Sequence, residues 1–389
     1  MQLTSTYPSL LLPGVSPEML YPEFWLARFQ NFGLDDDWIG SLKTTPELIL
    51  RNYFDNIDNQ LKNLYHRDGS LPEKIIDNRI RWNFPEYGLI TKPGDLKLIP
   101  QEMPLFSNKE EPSLDRNQLS GLDIGDQVNI FGLSKDGEWY LLVCNAGTGW
   151  VKREIVGIGS KLEVLNFRNE QSRMILIDPN SRIINGKEVI MASMGCSFPL
   201  NDYLRRTVLV PESNAKGSLK FNNGIIIDRA VRDHLPKTAY YLIRQAFKYL
   251  GYLYAWGDRD SEGYGRDCSR LVKDVLETMG FKPPRNSREQ LAVGKKRIKL
   301  AGMNISQKLT WLKQLSPGSL LFTPSHVMFF LGKVLEEAYA IHALLSYRNI
   351  INNKEEQVKA KRVVVSGLTL GIGTRNGSLL EQIVEVISD

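Results

Sequence analysis

"YGRDCSRLVKDVLETMG", residues 264–280, sets a single cysteine where a Gly- and Asp-rich loop turns into a helix. Leu271, Val272, Val275, Leu276 and Met279 fall on one helical face, and Gly280 ends the pattern. Cys268 therefore stands at the helix N-terminus, and two readings of it are open. A free cysteine is among the most buried residue types and packs as a small hydrophobe. At a helix start, however, the first backbone N–H groups and the positive dipole end lower a thiol pKa and favour the reactive thiolate.

A nucleophilic cysteine needs a base within hydrogen-bond reach, usually histidine, and a third group to orient that base. The chain has only four histidines, at 66, 234, 326 and 342. His326 and His342 interrupt apolar strand patterns in "SHVMFFLGKVLEEAYAIHAL". Folding this stretch as a hairpin with its turn over Gly332–Glu336 sets His326 directly opposite His342, so both imidazoles share one face. His234 has no such context and reads as a surface residue at a domain boundary.

Working outward, 389 residues are too many for one ordinary core and suit two to four domains. Hydrophobic residues at 42% and charged residues at 24% match a globular protein. The net charge of +5 is spread evenly, without the basic block that nucleic-acid binding favours. The three cysteines, at 144, 196 and 268, fit no metal-ligand spacing and cannot form a complete disulfide framework, although one pair stays open. Cys144 and Cys196 lie in strand patterns and read as packing residues. No apolar run reaches the length of a membrane span. The first residues carry no basic, hydrophobic leader. This leaves cytoplasmic placement if Met1 is the native start, and periplasm or cell envelope if an export signal has been removed.

Four segments follow from texture. Residues 1–92 read as a helical N-terminal region: "SPEMLYPEFWLARFQNFG" and the Thr45-Pro46 start of "TTPELILRNYFDNIDNQL" are helix signals. Residues 93–159 alternate in short β runs, with Asp136-Gly137 as a hairpin turn, and predict a small closed barrel of about five strands. Residues 160–235, through "KLEVLNF", "RMILIDP", "EVIMASM", "RTVLVPE" and "NGIIIDRA", predict a second barrel. Residues 236–389 begin with helices and end in strands, an α+β arrangement.

The motifs around Cys268 resemble those of NlpC-type cell-wall cysteine peptidases. "YAWGDRDSEGYGRDCSRLV" is similar to Tyr-x-Trp-Gly followed by Asp-Cys-Ser-Gly-Leu-Val. "PPRNSREQ", "LSPGSLLF" and "HVMFFLG…AIH" resemble three further family segments, in the same order. The resemblance implies a papain-like fold, with Cys268 as nucleophile, His326 as base and later acid, and His342 orienting His326. Two bacterial SH3-like barrels ahead of such a domain resemble γ-D-glutamyl-L-diamino-acid endopeptidases, which cut murein peptides between D-Glu and the diamino acid. In that subgroup the first barrel restricts the cleft to peptides with a free N-terminal L-Ala. Carried over by position, Asp267 contacts the substrate amine, Ser269 lines the pocket, Tyr254 and Trp256 form the cleft wall, and Ser287 lies near the acyl side. Asp115, in the first barrel, is a candidate amine contact; its alternatives are a solvated loop acid for Asp115 itself, core packing for Tyr254 and Trp256, and an N-cap for Asp267.

Arg270 stands where the family has Gly, Met328 where it has a small residue, and Ser319 where it has Asp. The first two add bulk near the motif. The implied activity needs no metal or organic cofactor. The implied partners are a murein peptide substrate and, through the barrels, wall polymer, with no nucleic acid and no integral membrane segment. Two other functions stay open: a murein amidase or acyltransferase with the same nucleophile, and an inactive wall-binding protein.

Overall fold

The computed structural model describes residues 10–42, 44–73, 81–108, 114–260 and 263–388. The chain forms two compact units. One comprises Lys43–His234 with Trp256–Gly263; the other comprises Met1–Leu42, Leu235–Ala255 and Tyr264–Asp389.

The Lys43–His234 unit opens with helix α1, Pro46–Leu61. The Thr45 hydroxyl caps it by accepting from the Leu48 N–H, and Pro46 occupies the first turn, where its missing N–H costs nothing. Tyr53, Ile57 and Leu61 recur every four residues and are buried against Trp139, Leu141 and Trp150. The Tyr53 hydroxyl donates to the Leu98 carbonyl at 2.7 Å and accepts from Trp150 Nε1 at 3.0 Å, so this buried phenol is satisfied.

Seven strands follow: β1 Arg81–Ile90, β2 Gly94–Lys97, β3 Gln118–Leu122, β4 Gln127–Leu133, β5 Trp139–Cys144, β6 Gly147–Lys152 and β7 Val156–Gly159. They form one antiparallel sheet in the order β3-β2-β6-β5-β4-β1-β7. The expected closed barrel of about five strands is not what forms. There are seven strands, and among the described residues none pairs β3 with β7. Register shifts in the β1–β4, β4–β5 and β2–β3 pairs bend the sheet without closing it. Strand β1 lies in the stretch read as helical; Pro85 and Gly88 mask it, since both are disfavoured within strands. The chain tolerates Pro85 because the register shifts between Trp82 and Glu86.

Helix α2, Lys161–Asn169, replaces the strand expected for "KLEVLNF". Ser160 accepts from the Glu163 N–H while Glu163 reaches back to the Ser160 N–H, a capping box that starts a helix over β-prone residues. Val164 and Phe167 are its buried face. A second seven-stranded sheet comprises β8 Arg173–Leu176, β9 Asn180–Asn185, β10 Glu188–Ser193, β11 Ser197–Asp202, β12 Thr207–Ser213, β13 Leu219–Ile226 and β14 Ala230–Arg232. Its order is β10-β9-β13-β12-β11-β8-β14, again with no pairing between its end strands among the described residues. Cys144 is buried in β5, whereas Cys196 lies in the turn before β11 rather than in a strand; all three cysteines are free thiols.

In the other unit, "SPEMLYPEFWLARFQ" forms two short helical segments, Pro17–Leu20 and Pro22–Leu26, rather than one helix. Tyr21 between them is extended, as the residue before a proline prefers. Helices α3 Ala239–Phe247, α4 Cys268–Glu277, α5 Ser287–Val293 and α6 Ile305–Leu312 precede most of the sheet. Its strands are β15 Arg297–Lys299, β16 Leu320–Thr323, β17 His326–Val334, β18 Glu337–Ile351, β19 Lys354–Gly367 and β20 Glu385–Ile387, in the order β15-β20-β16-β17-β18-β19, all antiparallel. Helix α4 packs on β17 and β18. The β18–β19 turn, Asn352-Asn353, takes φ of 50° and 59°, the left-handed pair of a two-residue hairpin. Among the described residues, no helix is long and apolar enough to cross a membrane.

Candidate active site

Cys268 is the first residue of α4, and Asp267 caps the helix by accepting from the Arg270 N–H at 2.9 Å. The cap fixes where the helix begins and so where the sulfur sits. The apolar face expected for α4 is buried, but the opposite face is buried too. Arg270 reaches Asp274 at 2.5 Å, Arg266 reaches the same carboxylate at 2.6 Å, and the Tyr249 hydroxyl donates to it at 2.6 Å. Arg270, the bulky replacement for Gly, thus neutralises a buried acid one turn along its own helix. Met328 is wholly buried as well, in strand β17.

The two histidines meet, by a different register from the expected one. The β17–β18 turn is Leu335-Glu336, two residues rather than five, with Val334 opposite Glu337 and Gly332 opposite Tyr339. The register then shifts, so that Phe330 faces Ala340 and Phe329 faces Ile341. Continued outward, this ladder sets Met328 opposite His342, and His326 one diagonal step away on the same face. Were Leu331 paired in the ladder instead of bulged, His342 would oppose Phe329 and point to the other face of the sheet. Gly332, at φ 123°, supplies the backbone conformation beside this bulge.

The diagonal contact is close. His326 Nε2 lies 2.7 Å from His342 Nδ1, and His342 Nε2 lies 2.9 Å from the Ser366 hydroxyl. His342 and Ser366 are completely buried. Ser366 pairs with Ala340 and Val364 with His342, so Ser366 too is a diagonal, same-face neighbour. The Val327 N–H, next along the strand from His326, hydrogen-bonds the Cys268 sulfur. The thiol, both imidazoles and Ser366 thus converge from one helix start and three adjacent strands.

Burial sets the electrostatics. It pushes the Cys268 thiol up to about 12, with the Asp267 charge adding to it, against the opposing pull of the Val327 N–H and Arg285. The expectation that the helix N-terminus favours thiolate is therefore reversed, because desolvation of a sulfur anion outweighs a partial dipole charge. Burial likewise lowers His326 to about 4, opposed by Asp267, and drives His342 well below the usual imidazole range. The resting arrangement is a neutral thiol beside two neutral imidazoles.

Asp267 is buried with Arg285, whose Nη2 and Nη1 lie 2.6 and 3.1 Å from its two oxygens; Nη1 also donates to the Ser269 hydroxyl at 2.9 Å. Gln290 donates to the Ser269 and Pro284 carbonyls, both at 2.9 Å, tying the α5 region to the first turn of α4. Ser287 opens α5, and among the described residues it has no hydrogen bond to Cys268, His326 or His342. Tyr254 is buried, and its N–H donates to the Lys361 carbonyl at 2.8 Å. Ser319 is buried and donates to the Ser316 carbonyl at 2.7 Å, so the Asp-to-Ser departure is a local turn contact.

Trp256 and Asp115 belong to the other unit. There Trp256 Nε1 donates to the Gln118 carbonyl at 3.0 Å, beneath the Arg116 guanidinium at 4.5 Å from its ring centre. The Asp115 carboxylate accepts from the Leu105 and Asn117 N–H groups at 3.0 and 2.8 Å and braces its own loop. Lys109–Ser113 ahead of it, and Ser261–Glu262 of the cysteine-motif loop, lie outside the described residues.

Arg285, Gln290 and Ser366 are the contributors that sequence reasoning did not assign. The first two stand inside a motif already singled out, "PPRNSREQ". The signal for Ser366 is a lone polar residue ending the apolar run "VVVS".

With this geometry in view, residues 251–367 match the NlpC/P60 family, so the chain carries an NlpC/P60 family domain there. NlpC/P60 proteins are, as a family, peptidoglycan-hydrolysing cysteine peptidases. Two solved structures are similar in fold. An NlpC/P60 endopeptidase from Photobacterium damselae subsp. piscicida shares 15% identity over 98% of this chain and 94% of its own, with a TM-score of 0.73. An NlpC/P60 family protein from Bacillus cereus ATCC 10987 shares 15% identity over 77% of this chain and 98% of its own, with a TM-score of 0.53. No curated protein matches the chain in sequence.

Proposed function

We propose that this protein is a papain-like cysteine endopeptidase that hydrolyses the γ-D-glutamyl–diamino-acid bond of murein peptides bearing a free N-terminal L-Ala, with Cys268 as nucleophile, His326 as base and His342 as its orienting partner. The observation that carries this reading is the 2.7 Å contact of the two imidazoles beside a thiol that receives the next residue's N–H. His326 Nδ1 is the nitrogen left to accept the thiol proton. The sulfur attacks the carbonyl carbon; the C–N bond breaks as the leaving amine takes that proton from His326. Water then adds to the thioester, passing a proton to His326, and the acid leaves as the thiol is restored. The Cys268 N–H, at a helix start without an intrahelical acceptor, is suited to the oxyanion.

With the resting thiol neutral, His326 has to take its proton for the sulfur to attack. The two sheets of the other unit serve in this reading as SH3-like modules that engage the wall or its peptides.

The test is hydrolysis of L-Ala-γ-D-Glu-diamino-acid tripeptide, free and N-acetylated, by wild type and Cys268→Ala. Turnover of the free peptide alone, lost in C268A, is expected. Equal cleavage of both peptides removes the free-amine requirement, which is the part most exposed to Asp267 being already paired with Arg285. Retained turnover in C268A removes the nucleophile.

A further inference from the structure

Building on the cysteine–histidine reading above, we infer that Ser366 is a positioning residue: it holds the proton of His342 on Nε2 and thereby keeps His326 Nδ1 free to act as a base. The argument is one of counting protons. Two neutral imidazoles carry two N–H groups among four ring nitrogens. Three of the four are committed, to the His326–His342 contact at 2.7 Å and the His342–Ser366 contact at 2.9 Å.

Only two patterns satisfy the contacts. In the first, His326 Nε2–H donates to His342 Nδ1, and His342 Nε2–H donates to the Ser366 oxygen; His326 Nδ1 then holds a lone pair. In the second, Ser366 donates to His342 Nε2, His342 Nδ1–H donates to His326 Nε2, and the remaining proton sits on His326 Nδ1. A ring in the second state cannot accept the Cys268 proton. The first state needs an acceptor at the end of the row, and the wholly buried Ser366 oxygen is where His342 Nε2 points.

Removing the hydroxyl makes the choice lopsided. The productive pattern would bury an N–H with no acceptor, whereas the unproductive one leaves only an unfilled lone pair. Buried orphan donors are the rarer and costlier of the two. Ser366→Ala should therefore move the proton of His342 to Nδ1 and idle the base.

The experiment combines kinetics with ¹⁵N-histidine NMR of the whole chain, resonances being assigned by single His→Gln variants. Wild type should show His342 protonated on Nε2, and S366A should show it on Nδ1. The kcat of S366A should fall about 10- to 100-fold, by analogy with the loss seen when the outer partner of a metal-bound histidine is removed, with KM little changed. Ser366→Thr, which keeps the hydroxyl, should recover most of the rate. A wild-type His342 protonated on Nδ1, or an S366A enzyme with wild-type kcat, overturns the inference. So does a rate loss in S366A with the tautomer unchanged. Wild-type turnover that survives C268A would instead overturn the enzymatic reading, and the tautomer spectrum would still decide Ser366.

Discussion

Replacing Arg285 with Met would leave the Asp267 carboxylate buried beside Cys268 without its counter-charge. In the native arrangement the two side chains are only 6% and 8% exposed and are joined by paired contacts of 2.6 and 3.1 Å. Burial pushes the Asp267 carboxyl up, but the Arg285 charge and its hydrogen bonds outweigh this and hold it below the usual carboxylate range. Once the guanidinium is gone, the carboxylate keeps the Arg270 N–H and the Ser269 hydroxyl but loses the Arg285 charge. Breaking one partner out of a buried pair costs about 3–5 kcal/mol, so R285M should lose that much at pH 7. The loss should also depend on pH. In R285M burial is still opposed by the Arg270 N–H and Ser269 hydroxyl bonds but no longer by Arg285, so the folded pKa of Asp267 rises and protonation relieves part of the penalty as pH falls through it. Wild type, with a lowered folded value, gains nothing over the same interval. Urea unfolding followed by tryptophan fluorescence at pH 7 and pH 4.5 measures both effects. The double variant Asp267→Asn/Arg285→Met, which buries no charge, should recover part of the loss at pH 7. A difference under about 1 kcal/mol at pH 7, or one that does not narrow at pH 4.5, would refute the account of the pair.

Three further outcomes follow from the same geometry. His326 has a folded pKa of about 4 against about 6.5 unfolded; its neutral burial stabilises the fold fully above pH 6.5, and that contribution, at most about 3 kcal/mol, is lost as pH falls through 4. His342 acts in the same direction, so a denaturation midpoint with the same acid slope in His326→Gln as in wild type would contradict the assignment only for His326. Gly332→Val should cost about 1–3 kcal/mol through backbone strain alone, since a Cβ there meets nothing nearer than Pro317 at 4.0 Å. If the bulge sets the histidine register, G332V loses peptidase activity well below its melting temperature; full activity in a folded G332V would reject that role. Ser160→Ala should destabilise the protein by about 1 kcal/mol in chemical denaturation by removing the α2 cap, whereas no change would mean the capping box is idle.

Several features were legible in the chain because they rest on interactions spanning only a few residues. The Thr45-Pro46 start, the helix beginning at Cys268 and the strand character of the histidine segments come from capping chemistry and side-chain periodicity, which act locally. The capping box at Ser160 was equally local, yet the β-prone "KLEVLNF" concealed it. Pro85 hid a strand because its compatibility depends on a bulge made with a distant partner. The meeting of His326 with His342 was foreseeable from their same-strand-pair placement, but the register that achieves it was not. That register turns on one extra residue, Leu331, accommodated by pairing with β18.

Tertiary structure alone decided the protonation of the thiol, the pairing of Asp267 with Arg285 and the presence of Ser366 at the end of the imidazole row. Each depends on which distant groups exclude water from a site or enter it. Sequence spacing carries no measure of desolvation or of contacts between remote segments, and these are the terms that govern buried charge.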